Sequence, residues 1–197
     1  METKDILILI VMLAVLVGGY GWHRRRLVVL GHNWRELAAK LGGRFESNGE
    51  GWIREPNHTL ICELSGVELE LITRVTETGS STTYWTYART KCDPLMEFNI
   101  YREDVFGTIS KGLGFQDIEV DDPEYDRTFI IKSNDSAELL RNITREFRMA
   151  HLDLQQANVG AEKGSLEVVQ KGLIGDPDEA LKMLELAALA ARTFLPS

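Results

Sequence analysis

The sequence predicts an α+β protein: an N-terminal transmembrane helix followed by an antiparallel sheet packed with helices. Three observations carry that expectation. An uncharged apolar run from Ile6 to Trp22 ends at a block of arginines. Period-two alternation then recurs over several segments, and the helix-start signals gather mostly after these strand-like segments.

Ile6 to Val17 is apolar on every side, and Gly18-Gly19-Tyr20-Gly21-Trp22 extends it without a charge. Such a helix has no polar face to offer water. At about 1.5 Å per residue it reaches roughly 25 Å, slightly short of the ~30 Å hydrocarbon layer. Lys4 and Arg24 close that gap by extending their charged groups to the headgroups, and Tyr20 and Trp22 suit the interface. Met1-Glu2-Thr3-Lys4-Asp5 carries two acids and one Lys, the reverse of an export signal, so an uncleaved anchor is expected. Arg24, Arg25 and Arg26 are the membrane-topology residues. By the positive-inside rule they put the N-terminus outside and everything after them in the cytoplasm, at the inner membrane. Cys62 and Cys92 are then expected as reduced thiols. Ala14 and Gly18 form a small-xxx-small pair that would let two anchors approach.

Residues 1–26 thus read as an anchor with a basic collar, and 27–197 as one soluble α+β domain. The 197-residue chain has a net charge of −8, and the part beyond Arg26 carries 18 basic and 28 acidic side chains. That acidic body repels nucleic acid and anionic lipid, so no nucleic-acid partner is expected. With 44% apolar residues and two cysteines, the chain is neither a disordered tail nor a disulfide-stapled miniprotein.

Within the domain, Asn33 is placed to cap a short helix, Trp34 to Leu41, ended by Gly42-Gly43. Strands are expected at Trp52 to Arg54, Thr59 to Leu64, Val67 to Thr76, Thr82 to Thr90 and Glu97 to Arg102. Val67, Leu69 and Leu71 alternate with Glu68 and Glu70, giving one buried and one wet face, and the turn-like Ser65-Gly66 and Gly79-Ser80-Ser81 make a meander. Val105 to Leu113 reads as a short helix, and Asp117 to Val120 and Thr128 to Lys132 as further strands. Asp135 and Glu138 open a helix with Leu139, Leu140, Ile143 and Phe147 inward. Ser165 to Lys171 is one more strand. Asp176, Pro177 and Glu179 start a last helix with Leu181, Leu184, Ala188 and Leu195 toward the core.

Six carboxylates fall between Asp117 and Asp126. A hard cation needs oxygens converging through a sharp turn, and no Gly lies in the run, so a solvated strand edge is expected instead. Thr83-Tyr84-Trp85-Thr86-Tyr87 could form a stacking platform, but the same residues are good strand formers, and Trp85 with Tyr87 would fill a sheet face. His23, His32, His58 and His151 lack metal-ligand spacing, and Cys62 and Cys92 stand singly. No phosphate loop, dinucleotide fingerprint or nucleophile elbow occurs. No catalytic residue, metal or cofactor is therefore expected.

Gly114-Phe115-Gln116-Asp117-Ile118-Glu119, followed by Tyr125-Asp126-Arg127-Thr128-Phe129-Ile130-Ile131-Lys132, resembles a motif of bacterial membrane-anchored proteins of unknown function. In those proteins G-x-Q-D-I-x precedes F-D-x-x-F-x-I-K; here Tyr125 stands where Phe is usual. The resemblance implies an anchored domain and supplies no catalytic residue. From the residues themselves, Tyr125, Phe129 and Ile131 share a face, and Asp126 holds the turn through backbone N–H groups.

The expected function is a non-enzymatic cytoplasmic interaction domain on a single-pass anchor. It would contact the bilayer through residues 6–22 and bind an unknown protein partner or itself, with the Leu- and Ala-rich helix Ala180 to Phe194 as the first surface to consider. The alternative is a small-ligand or metal-binding sensor, or an enzyme, using the acidic 117–126 stretch with Trp85.

Overall fold

The structure is a computed structural model that describes residues 3–48, 57–79, 81–102, 117–162 and 164–195. Its first element, α1, is one helix from Thr3–Lys40. The separate helix expected from Trp34 is therefore a correction. No proline interrupts residues 23 to 40, so the hydrogen-bond ladder runs on, and Asn33 turns its amide outward to donate to the Gly175 carbonyl at 2.7 Å. What changes near Arg26 is burial. Leu27, Leu30, Trp34, Leu37 and Ala38 are all buried, at the spacing of one inward stripe. Before them Ile8, Ile10, Met12, Leu13 and Val15 are exposed. Counted over the described residues, which omit the side chains of residues 3, 5, 7, 9 and 16, no helix is long and apolar enough to cross a membrane.

The glycine pair ends α1 as expected. Gly42 has φ +66°, its N–H reaches the Ala39 carbonyl, and the Gly43 N–H bonds the Ala38 carbonyl at 2.8 Å. A Cβ on Gly43 would lie 2.3 Å from the Ile61 carbonyl, so a side chain there would block the first strand from docking.

Eight strands follow among the described residues: β1 Arg44–Asn48, β2 Asn57–Leu64, β3 Val67–Thr78, β4 Ser81–Cys92, β5 Phe98–Tyr101, β6 Ile130–Ser133, β7 Ala157–Glu162 and β8 Gly164–Lys171. They form one sheet in the order β1-β2-β3-β4-β8-β7-β5-β6, every pair antiparallel. The helices are α2 Pro123–Thr128, α3 Ser136–Asn142, α4 Arg145–Asp153 and α5 Pro177–Phe194.

The expected strands at 59–64, 67–76, 82–90, 97–102 and 165–171 are found within a few residues of their predicted ends. Those at Trp52 to Arg54, and the helix at Val105 to Leu113, lie outside the described residues. Asp117 to Val120 is not a strand, although the Ile118 N–H bonds the Ile131 carbonyl at 3.0 Å. The first residue of the strand expected at Thr128 belongs instead to α2, where Asp122 caps and Pro123 occupies the first turn. One further helix is split. Thr144 accepts from the Phe147 N–H at 3.1 Å and starts α4 afresh, so Ile143 becomes the cap of α3 and Leu140 is exposed.

One face of the sheet is dry. Leu60, Leu69, Leu71, Ala88, Phe98, Ile100, Ile131, Val159, Leu166 and Val168 pack there against α5 and the C-terminal half of α1. The α5 helix buries Ala180, Met183, Leu184, Leu186, Ala187, Ala188, Ala190, Ala191 and Phe194, a broader face than the expected stripe. Small alanines let it lie close to the strands. Of the expected inward residues, Leu184 and Ala188 are buried, while Leu181 and Leu195 pack at the margin.

Gly31 lies tight against β2, because a Cβ there would meet the His58 ring at 2.7 Å. His58 is buried and its Nε2 donates to the Leu27 carbonyl at 3.1 Å, so the ring has no room to retreat. Gly31→Ala should lower stability by about 1–3 kcal/mol, despite a helix-propensity gain of about 1 kcal/mol. Gly21→Ala, which has open space around it, should not. Urea titration of the full chain in detergent micelles checks both.

Candidate functional site

Three polar regions stand out: the junction of α1 with the domain, the acidic turn with the pair behind it, and the open face of the sheet.

At the junction, Trp34 is fully buried and its Nε1 donates to the Ile174 carbonyl at 2.9 Å. One turn before the stripe begins, His23 Nε2 lies 2.9 Å from the Tyr84 hydroxyl, with the rings 5.1 Å apart. The three arginines expected to set topology lie alongside. Arg25 and Arg26 are exposed, Arg24 is half-buried, and the Arg26 guanidinium stands 5.0 Å over the Trp22 ring. Trp22, Arg25, Arg26, Val29 and Leu173 line a cavity of about 380 Å3 between α1 and the segment leading to α5.

The acidic stretch separates into individual roles. Asp126 accepts the Val120 N–H at 2.9 Å and the Asp122 N–H at 3.1 Å, the expected turn-holding role. Asp122 accepts from the Tyr125 N–H and from Arg148 Nε at 2.9 Å, and these contacts hold its carboxyl below the usual range. Asp117 lies 3.4 Å from Lys132 and is exposed, as are Glu119 and Asp121. Among the described residues no group of three or more His, Cys, Asp or Glu side chains is placed to hold a metal ion. Trp85 is not nearby. It lies on β4, separated from β6 and the acidic turn by β8, β7 and β5, roughly 19 Å of sheet.

Behind that turn, Tyr125 and His151 are both fully buried. His151 Nε2 lies 2.9 Å from the Ala157 carbonyl, which can only accept, so that nitrogen carries the proton. Nδ1 therefore accepts from the Tyr125 hydroxyl at 2.8 Å. Phe129 stacks on the imidazole at 3.9 Å. Burial pulls the His151 pKa down to about 4 and pushes that of Tyr125 well up, so both are neutral at pH 7. Among the described residues the pair is enclosed by packing. The sequence expectation placed Tyr125, Phe129 and Ile131 on one face, and all three are buried, but His151 was missed because its partners meet it only in space.

Cys62 and Cys92 are free thiols. They sit on β2 and β4 with β3 between them, about 10 Å apart, beyond the span of a disulfide. Burial raises both, Cys62 to about 11, so they are not reactive thiolates at neutral pH.

The open face carries Glu70, Arg74, Trp85, Tyr87, Arg89, Glu167 and Lys171, the residues alternating with the core set. Arg89 donates twice to Glu70 Oε2, at 3.0 and 2.9 Å, and the Arg74 guanidinium stands 4.9 Å over Tyr87. Trp85 and Tyr87 do share one sheet face, as their spacing predicts; Trp85 is buried and Tyr87 half-buried. A cavity of about 230 Å3 lies beside Tyr87, lined by Asn99, Asn158, Gly160, Glu162, Ser165 and Glu167. The α5 helix packs into the domain's own core, the ordinary reading of its Leu- and Ala-rich face, rather than offering that face to a partner.

No family model, curated protein or solved structure matches this chain.

The buried imidazole generates a pH prediction. Its folded pKa of about 4 lies below the ordinary value of 6.5, so the unfolded chain takes up the proton first as pH falls. Its contribution is complete above about pH 6.5 and is lost between there and pH 4, to a limit of about 3 kcal/mol. Asp122 and Glu138, whose carboxyls are held low, lose their contributions only below the normal carboxylate range. His151→Phe should lower stability at pH 7 and flatten the slope between pH 6.5 and 4. Denaturant midpoints measured across that interval test both effects.

Proposed function

We propose that this chain is a single-pass inner-membrane protein, anchored through residues 6–22, whose α+β domain stands in the cytoplasm and works by binding a partner. The observation that carries this reading is the outward-facing apolar surface of α1. Ten large apolar side chains between Ile6 and Trp22 are 41–68% exposed, on a stretch without a charge. At about 1.5–3 kcal/mol for a fully exposed side chain, covering what remains exposed is worth roughly 9–17 kcal/mol. Lipid supplies that cover on all sides, as a domain surface cannot. The full run, with Leu7, Leu9 and Leu16, suits a short span, and Arg24, Arg25 and Arg26 at its end orient it with the domain inside. The motif resemblance at 114–132 points the same way.

The binding reading rests on where the unusual groups lie. The most strongly shifted groups, Tyr125, His151 and Cys62, are packed into the core; on the open face Tyr87 is raised by burial, and the face otherwise presents ordered polar side chains. An enzyme normally puts its shifted groups in a cleft.

Alkaline carbonate extraction should leave the full-length chain in the membrane pellet; release of a shortened form would show a cleaved signal. Fusions after Ser197 should report a cytoplasmic location, and activity of a periplasm-dependent reporter would reverse the topology.

A further inference from the structure

We propose that the cavity on the open sheet face is a docking site for an arginine side chain of a protein partner. This rests on the reading that the domain works by binding, and it names what is bound. The floor is Gly160 of β7, where a Cβ would lie 2.4 Å from Asn99 Oδ1, so only glycine leaves that surface flat and the Asn99 oxygen above it. Two residues back, Asn158 is only 5% exposed, lines the same cavity, and its Oδ1 has no hydrogen-bond partner. A buried carbonyl oxygen without a donor costs stability unless an incoming donor meets it.

The walls decide the kind of donor. Among the described residues, Glu162 and Glu167 are the charged members of the lining and no basic side chain lines it; Lys91, opposite Ser165, lies 3.8 Å from Glu70. Arg89, which pairs with Glu167 across β4 and β8, has its guanidinium committed to Glu70. Arg74 lies over Tyr87, and Lys132 pairs with Asp117. The site is therefore rich in acceptors and negative. Its oxygens are spread around the floor of a cavity of about 230 Å3. A guanidinium matches this arrangement because it is planar, is permanently cationic and carries five N–H donors in fixed directions. An ammonium concentrates its donors at one point and reaches fewer of the oxygens. On a face of antiparallel strands, a partner segment would present the side chain from above.

The test titrates the full chain in detergent micelles with acetyl-Gly-Arg-Gly-amide and follows backbone amide resonances of β7 and β8. Saturable shifts centred on Asn158, Gly160 and Glu167 are expected. The citrulline analogue, of the same shape without the charge, should bind at least tenfold more weakly. Glu167→Gln should weaken arginine binding about tenfold. Asn158→Leu should abolish it while leaving stability unchanged or raised, since the lost oxygen was unpartnered. Absence of saturable shifts overturns the site, as does equal affinity for the citrulline peptide or unchanged binding in both variants. Saturation by spermidine but not by the peptide would assign the site to a free polyamine and overturn the protein partner. Any of these failures in a protein that still resists carbonate extraction leaves the anchor reading standing.

Discussion

The unbroken backbone of α1 is the constraint on which the remaining structure depends. A helix propagates its geometry through each peptide hydrogen bond, so fixing residues 27 to 40 against the sheet also fixes the direction in which residues 3 to 26 leave it. Four polar contacts add to the apolar stripe in holding that angle: His23 with Tyr84, His58 with the Leu27 carbonyl, Asn33 with Gly175 and Trp34 with Ile174. They tie one helix to β4, β2 and the segment before α5. The sheet cannot form its dry face without that helix, because Trp34, Leu37 and Ala38 belong to the same core as Leu60, Leu71 and Phe194.

Much of this was legible before the structure. The strands β2, β3, β4 and β8 carry alternation strong enough to place them, and Asp176-Pro177 placed α5. The same Asp-Pro signal at Asp122-Pro123 starts α2, yet the acidic composition around it masked the cap and suggested a strand. The strand β7 was invisible for a physical reason. Ala157-Asn158-Val159-Gly160-Ala161 has poor strand propensity, and it is held by β8 on one side and β5 on the other. The candidate cavity lies on that strand, so the feature that hid the element from pattern reading also hid the site. Apolar periodicity locates surfaces that pack; an orphaned amide beside a bare glycine has no periodicity.

The two faces of the sheet handle polar groups in different ways. On the helix side, buried polar groups are met mainly by one another and by backbone carbonyls, as His151, Trp34 and Asn33 are, although Gln170 Oε1 there is left without a donor. On the open side, ion pairing and ring stacking leave Asn158 Oδ1 behind. The acidic turn, which looked chemical in the sequence, belongs to the first pattern. Its central carboxylates are engaged by backbone N–H groups and Arg148, and this fixes the approach of Tyr125 to His151.

A helix that enters its domain without a hinge, as α1 does, also makes helical phase a structural variable. At 3.6 residues per turn, one residue added between Trp22 and Leu27 would turn the domain by about 100° and lift it by about 1.5 Å relative to the proposed span. If that span is the anchor proposed above, the compass bearing of the open sheet face on the membrane surface, and so which neighbours it meets while diffusing in two dimensions, follows from the length of the four-residue collar His23 to Arg26.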